Sequence, residues 1–77
     1  MSEHEPEAVG NRLRRLRDRK PWTQAELSRA SGVPLQTIKD IERGASKRPR
    51  NRTVRALADA LQVSASYLLW GLTDSET

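Results

Sequence analysis

Arginine and lysine are the side chains of this sequence that are best suited to bind a ligand. Between residues 8 and 71 there are fourteen basic and five acidic residues, a net charge of +9. The other five acidic residues stand in the first seven and the last six positions. A compact domain with such an excess of positive charge attracts polyanions. A solubilising surface would carry the same charge, so charge alone leaves both interpretations open.

The sequence offers little for catalysis or metal binding. It has no cysteine, and its one histidine, His4, stands near the N-terminus. The carboxylates between residues 8 and 71 are spread singly, and no glycine-rich phosphate-binding loop is present. No apolar run approaches the roughly 20 residues that span a bilayer, and there is no export leader. We therefore expect a cytoplasmic, non-enzymatic protein without catalytic residues, metal, cofactor, small-molecule ligand or membrane partner.

Apolar spacing and helix-end signals predict five short helices and no strand. The first helix ends before Pro21, because proline disfavours helical angles in the residue that precedes it. The second opens at a capping box formed by Thr23 and Glu26 and stops at Gly32. These signals place a short turn between the second helix and the one that follows it.

The remaining three helices are marked by the same kinds of signal. The third begins near Pro34 and is capped by Gly44, and the fourth covers roughly Asn51 to Leu61. Ser64 caps a short fifth helix, which Gly71 closes. The apolar positions expected to face the core are Val9, Leu13, Leu16, Ala25, Leu27, Ile38, Ile41, Val54, Leu57, Ala58, Leu61, Tyr67, Leu68 and Leu69.

The chain divides into one domain between two tails. Residues 1–7 are polar and acidic, are interrupted by Pro6 and have no periodicity, which predicts a flexible N-terminal tail. Residues 72–77 predict a flexible C-terminal tail on the same grounds. Residues 8–71 remain as a single helical domain, since 77 residues are one domain at most.

The most informative stretch covers residues 24–41, where two short helices meet at a glycine. Two helices that cross steeply need a small residue at their contact, which Ser28 provides, and a turn residue that tolerates positive φ, which Gly32 provides. Ile38 and Ile41 would pin the second of these helices against the core. Its exposed end would then enter the major groove of DNA. The side chains left facing outward are Leu35, Gln36, Lys39 and Asp40.

This order of residues resembles the Cro and lambdoid-repressor helix-turn-helix family, also called the XRE-type family. The matching segments are WTQAEL at 22–27, GV at 32–33, TIKDIERG at 37–44, ALQVS at 60–64 and YLL at 67–69. The block KRPR at 47–50 is similar to the loop that follows the recognition helix in lambdoid phage repressors. The resemblance covers about residues 9–71. It implies an all-α, compact five-helix repressor-like DNA-binding domain, with the helix-turn-helix formed by helices 2 and 3.

The resemblance also implies roles for individual side chains. Gln36 would pair with adenine, Leu35 would cover a thymine methyl group, and Asp40 would accept a hydrogen bond from cytosine. The implied base-reading residues are Leu35, Gln36, Thr37 and Asp40. The implied phosphate-binding residues, which set register rather than sequence, are Thr23, Gln24, Lys39, Arg43, Lys47, Arg48 and Arg50.

Some charged side chains are assigned structural or local roles. Arg17 and Glu42 occupy positions where the family has a partly buried ion pair between the first and third helices. Asp40 is equally suited to a local salt bridge on its own helix. The other arginines of the first helix are expected to be solvated, with at most one touching the DNA backbone; they are Arg12, Arg14, Arg15 and Arg19.

The sequence departs from the family pattern at several turns. Pro21 and Gln62 stand where relatives usually have turn glycines. The recognition helix opens with Pro34 and Leu35 instead of a polar pair, so its first base contact is expected to be apolar. Residues 51–52 replace an apolar position, which makes the entry to the fourth helix the least typical segment.

The resemblance implies a sequence-specific transcriptional regulator, a repressor, that binds double-stranded DNA as a homodimer on a two-fold operator. Trp70 and Leu72 are expected to be exposed. Single apolar surface residues are ordinary, but with Ala65 and Tyr67 nearby these two could form a self-association patch. A restriction-system controller protein and an antitoxin are alternatives within this class. A different class is a protein-interaction module, such as an antitoxin or adaptor, whose basic loop meets an acidic partner.

Overall fold

The structure, a computed structural model, describes residues 7–72, which form five α-helices and, within that range, no strand. The helices are α1 (Val9–Arg19), α2 (Gln24–Ser31), α3 (Leu35–Glu42), α4 (Asn51–Leu61) and α5 (Ala65–Trp70). No helix in this range is long and apolar enough to cross a membrane. The predicted all-α fold class is confirmed. The tails lie outside the described residues, apart from Glu7 and Leu72.

Two helices begin with the caps that the sequence predicts. The Thr23 hydroxyl accepts a hydrogen bond from the Glu26 backbone N–H at 3.0 Å, and the Glu26 carboxylate accepts one from the Thr23 N–H at 2.8 Å. The Ser64 hydroxyl accepts from the Tyr67 N–H at 2.9 Å. Each cap satisfies a backbone donor that has no partner within its helix, and each contributes about 1 kcal/mol.

The hydrophobic core draws on all five helices. α1 packs against α3 and α5, while α2 packs against α3 and α4, and α4 packs against α5. Burying an aliphatic side chain of this size contributes about 1.5–3 kcal/mol. The core therefore holds α3 in place from beneath. The buried apolar side chains are Leu13, Leu16, Leu27, Val33, Ile38, Ile41, Val54, Leu57, Ala58, Leu61 and Leu68.

Gly10 lets α1 approach the end of α3 more closely than any other residue would. A Cβ atom at this position would overlap the backbone carbonyl oxygen of Ile41, and that backbone cannot move aside cheaply. Gly10 is not among the predicted residues, because a glycine near the start of a helix has no periodicity to mark it. Its small size sets the distance at which α1 supports α3.

Arg12 contradicts the prediction that this side chain is solvated, since it is only 3% exposed. Its Nη1 donates to the carbonyl oxygen of Leu68 at 3.2 Å, and its Nη2 donates to that of Glu7 at 2.6 Å. The guanidinium thus lies at the C-terminal end of α5, where helix carbonyls lack internal partners and carry partial negative charge. A positive charge at that point joins α1 to α5.

The other arginines of α1 differ in their surroundings. Arg15 donates to the Glu7 carboxylate at 2.7 Å and to the Tyr67 hydroxyl at 3.5 Å, so it is bonded rather than simply solvated. The hydrogen bond from Arg15 holds the pKa of the Glu7 carboxyl below its ordinary value. Arg14 and Arg19 are exposed, as predicted.

Gln62 takes the backbone conformation that the expected turn glycine would have had. Its φ is 62°, in the left-handed region, and its N–H donates to the Asp59 carbonyl at 3.1 Å. A residue with a Cβ atom pays roughly 1–2 kcal/mol for this conformation. The Lys20 ammonium donates to the Gln62 side-chain oxygen at 3.2 Å, an exposed contact.

Candidate nucleic-acid interface

The turn between α2 and α3 fixes the angle of the helix-turn-helix. Gly32 caps α2 with a φ of 78°. The Ser28 hydroxyl then donates to the carbonyl of Val33 at 2.6 Å, and the Ser31 hydroxyl accepts from the Val33 N–H at 3.1 Å. Two side chains of α2 thus form hydrogen bonds with the backbone of the turn, and these bonds restrict its conformation. The positive φ predicted for Gly32 is confirmed, and Ser28 takes part in the turn through a hydrogen bond that its small size did not predict.

α3 buries one face and exposes the other. Ile38 and Ile41 are buried in the core, as predicted, and anchor the helix. Gln36 and Lys39 are exposed, while Leu35, at the first turn, is half-buried. α3 therefore presents Gln36 and Lys39 to solvent from a helix that its buried face holds in place.

Asp40 lies at the centre of a hydrogen-bonded cluster on the exposed face of α3. The Gln36 amide nitrogen donates to Oδ1 of Asp40 at 3.0 Å. Nε and Nη2 of Arg43 donate to the same oxygen at 3.2 and 3.0 Å. These bonds, from Gln36 first and Arg43 second, hold the pKa of the Asp40 carboxyl below its ordinary value. Two predicted base-reading residues thus contact each other and one predicted phosphate ligand.

Glu42 lies at the centre of a second cluster, which is buried. Nε and Nη2 of Arg17 donate to the two carboxylate oxygens of Glu42 at 2.8 and 3.0 Å, so the predicted ion pair forms as a two-point contact. The amide nitrogen of Gln24 donates to Glu42 Oε1 at 3.0 Å. Arg17 also donates to the carbonyl of Trp22 at 2.7 Å. The hydrogen bond to Glu42 raises the pKa of the Arg17 guanidinium.

A shallow groove between α1 and α3, the α1–α3 groove, opens above the Glu42 cluster. It places the exposed Arg14 of α1 in the same hollow as Lys39 and Arg43 of α3. Arg14 precedes Arg17 by one helical turn, so the two arginines lie on the same face of α1. The predicted ion pair between Arg17 and Glu42 was therefore a sequence signal that this face of α1 is turned toward α3. The lining residues are Arg14, Arg17, Gln24, Lys39, Glu42 and Arg43.

A second groove, the loop groove, lies on the other side of the α3 N-terminus. It is bounded by the 32–34 turn, the 46–50 loop and the start of α4. Arg48 and Arg50, both predicted phosphate ligands, line it and are exposed. Thr37 lines this groove too, and Arg52 joins it from the first turn of α4.

The remaining predicted ligands lie at the rim of these features. Thr23 is exposed, with its hydroxyl engaged in the α2 cap, and Lys47 is exposed on the loop before Arg48. Within residues 7–72 there is no group of three or more His, Cys, Asp or Glu side chains that could hold a metal ion. Around α3, exposed amide, guanidinium and ammonium groups lie beside the Asp40 and Glu42 carboxylates, and the nitrogen donors suit phosphates and base edges.

Comparison with known proteins agrees with this geometry. Residues 8–68 match the helix-turn-helix domain family. The chain is 34% identical over 64 residues to the transcriptional repressor RghR of Bacillus subtilis; the match covers 83% of this chain but only 47% of RghR. The resemblance to transcriptional regulators stated from the sequence is thereby confirmed.

Solved structures give the same result. The P22 c2 repressor, crystallised with a synthetic operator, superposes with a TM-score of 0.78 and 35% identity, covering 86% of this chain and 98% of that one. SinR of Bacillus subtilis, solved in complex with DNA, gives a TM-score of 0.75 and 27% identity, covering 78% and 95%. These relatives are regulators rather than enzymes.

Proposed function

The chain belongs to the helix-turn-helix domain family, and from that premise we propose that it is a cytoplasmic, sequence-specific repressor that inserts α3 into the major groove of double-stranded DNA. One observation carries this proposal. The exposed face of α3 has a groove with basic side chains on each side: Thr37 borders the loop groove toward the N-terminal end of the helix, and Lys39 borders the α1–α3 groove toward its C-terminal end. A helix is about 10–12 Å across and the major groove about 12 Å wide, so an inserted helix has a phosphate strand on each side.

The two grooves divide the phosphate contacts between the strands. On one side, Gln24 lies at the start of α2, where the helix dipole favours an anion, and Arg14 and Lys39 are exposed next to it. On the other side, Arg48 and Arg50 are exposed around the loop groove. The full set of phosphate ligands in the proposal is Arg14, Thr23, Gln24, Lys39, Arg43, Lys47, Arg48, Arg50 and Arg52.

The base contacts come from the exposed turn of α3. Gln36 is proposed to pair with adenine, since its amide can both accept from N6 and donate to N7. Leu35 is proposed to cover a thymine methyl group, and Thr37 to contact the bases or backbone at the loop groove. Asp40 supports these contacts through its bond with Gln36.

Binding to a two-fold operator as a homodimer completes the proposal. Two copies would place their α3 helices in successive major grooves, about 34 Å apart on one face of the duplex. Trp70 and Leu72 support a self-association patch at the end of α5, since they are 61% and 58% exposed. Ala65 and Tyr67, which lie on the same helix as Trp70, are half-buried.

Selection from random DNA duplexes, followed by affinity measurements at two salt concentrations, tests this function. The expected result is a two-fold consensus and a log–log salt dependence that steepens by about 0.9 per phosphate contacted. Absence of any enriched sequence, with a Kd no tighter than about 10⁻⁶ M at physiological salt, would contradict the proposal and favour a protein-interaction module.

A further inference from the structure

We propose that Asp40 is a positioning residue that fixes the orientation of the Gln36 amide and thereby makes Gln36 select adenine over guanine. This inference rests on the proposed function, because it assumes that α3 meets base edges. It replaces the expectation that Asp40 itself contacts cytosine with a role exerted through Gln36.

The chemistry of the two side chains determines which way the amide points. An ionised carboxylate only accepts hydrogen bonds, so the Gln36 group that faces Asp40 at 3.0 Å must be the NH₂ and not the carbonyl. If the amide flipped, its oxygen would face a carboxylate oxygen at the same distance, which is repulsive. Oε1 of Gln36 is therefore directed away from Asp40.

Arg43 keeps the carboxylate in place. Its two donors bind the same Oδ1 that accepts from Gln36, which holds Asp40 toward the exposed face of α3. Both bonds favour the ionised carboxylate, the form that can only accept. Asp40 is also fixed at its backbone, where its carbonyl accepts from the N–H groups of Ala45 and Ser46 at 2.9 and 3.1 Å. The carboxylate that orients the Gln36 amide is thus held by Arg43, and the backbone of Asp40 is held by the residues that follow the helix.

The oriented amide matches one base edge better than the others. Among residues 7–72, no donor bonds Oε1 of Gln36, and one of its two N–H groups remains available. One acceptor beside one donor complements adenine, which presents an N6 donor and an N7 acceptor in the major groove. Cytosine offers the amide a single donor. Guanine presents two acceptors, N7 and O6, and would meet the amide oxygen with repulsion.

Affinity for four duplexes tests the inference. The duplexes are identical except at one base pair of the selected consensus, which carries A, C, G or T. This is the base pair at which Gln36→Ala removes the preference for one base over the others. The full chain is expected to prefer adenine over guanine by about tenfold to a hundredfold. Asp40→Asn, which can either accept from or donate to the amide, is expected to reduce that ratio to about threefold or less. The matched control is Asp59→Asn, an exposed residue of α4 that makes the same change of charge and should keep the ratio.

Side-chain amide NMR of the DNA-free protein separates the two proposals. The Gln36 NH₂ resonances are expected to move in Asp40→Asn and to stay in Asp59→Asn. If they do not move, or if Asp40→Asn keeps the full preference for adenine, the positioning role is wrong even though DNA binding stands. If they move but no duplex is selected, the proposed function fails while the contact itself is verified.

Discussion

Two carboxylates on α3 have the same kinds of partner and very different surroundings. Glu42 accepts from a glutamine and an arginine, Gln24 and Arg17, and its side chain is 6% exposed. Asp40 also accepts from a glutamine and an arginine, but its side chain is 33% exposed. The partners of Glu42 come from α1 and α2. Those of Asp40 are close to it in the sequence: Gln36 lies one turn earlier on α3, and Arg43 directly follows the helix.

One arrangement of carboxylate, amide and guanidinium groups therefore has two different effects, depending on its burial and on the helices that it joins. Around Glu42 the charges are desolvated, so loss of one partner strands the other and destabilises the fold. Around Asp40 water compensates for a lost partner, so the arrangement influences orientation rather than stability.

Replacing Glu42 should have the largest effect on stability, because its cluster is the more buried of the two. Glu42→Ala leaves the Arg17 guanidinium buried without its carboxylate, and the free energy of unfolding should fall by about 3–5 kcal/mol in urea titrations. Asp40→Ala, which removes the more exposed carboxylate, should leave it nearly unchanged. Equal losses in the two variants would show that burial does not separate the clusters. Replacing both Arg17 and Glu42 by apolar residues should cost less than Glu42→Ala alone.

Replacing Gln36 should change specificity and leave stability nearly intact. Gln36→Ala is expected to lose about 1–3 kcal/mol of discrimination at one base pair, because a two-point contact to a base disappears. Arg48→Ala should instead weaken binding to all duplexes alike and reduce the log–log salt slope by about 0.9. Binding measurements on specific and random duplexes check both. An equal loss on both duplexes for Gln36→Ala would exclude base reading by this residue.

Replacing Gln24, the glutamine of the buried cluster, should give a smaller effect on stability. Gln24→Ala removes one hydrogen bond to Glu42, but Arg17 still satisfies that carboxylate, so the loss should be about 1 kcal/mol by thermal or urea unfolding. Because Gln24 is also a proposed phosphate ligand, DNA affinity should fall for every sequence. An unchanged affinity would confine Gln24 to the structural cluster.

The titration of Asp40 gives the smallest effect. A carboxyl whose pKa is lowered on folding stabilises the native state above its unfolded pKa and loses that contribution as the pH falls through its folded pKa. Any contribution from Asp40 is therefore complete above about pH 4 and vanishes only in stronger acid. Carboxyl NMR should place its midpoint below the ordinary value for aspartate, and Gln36→Ala should raise it. If Gln36→Ala left this midpoint unchanged, the result would contradict the hydrogen bond between Gln36 and Asp40.

The sequence predicts most of the fold because its signals are local. Caps at Thr23 and Ser64 and the buried pair Ile38 and Ile41 are properties of a few neighbouring residues, and all are confirmed. The α4 range of 51–61 follows from its apolar spacing and its flanking loop, and the structure gives the same bounds.

What the sequence does not predict depends on contacts between distant segments. Arg12 is buried because α5 ends beside it, 56 positions away in the chain, and nothing near Arg12 in sequence announces that meeting. Gly10 matters only because α1 crosses the α3 backbone there. For Asp40, spacing alone made a local bond and a base contact equally reasonable, and the geometry of Gln36 and Arg43 was needed to find the local bond.

The buried Arg12 also has a consequence for engineering. One guanidinium reaches both the Glu7 carbonyl at 2.6 Å and the Leu68 carbonyl at 3.2 Å, so these two points of the backbone are next to each other. A short peptide joining the two flanks of the domain would therefore have only a small gap to span. For the same reason the domain can be inserted into a host protein with both connections made at a single place.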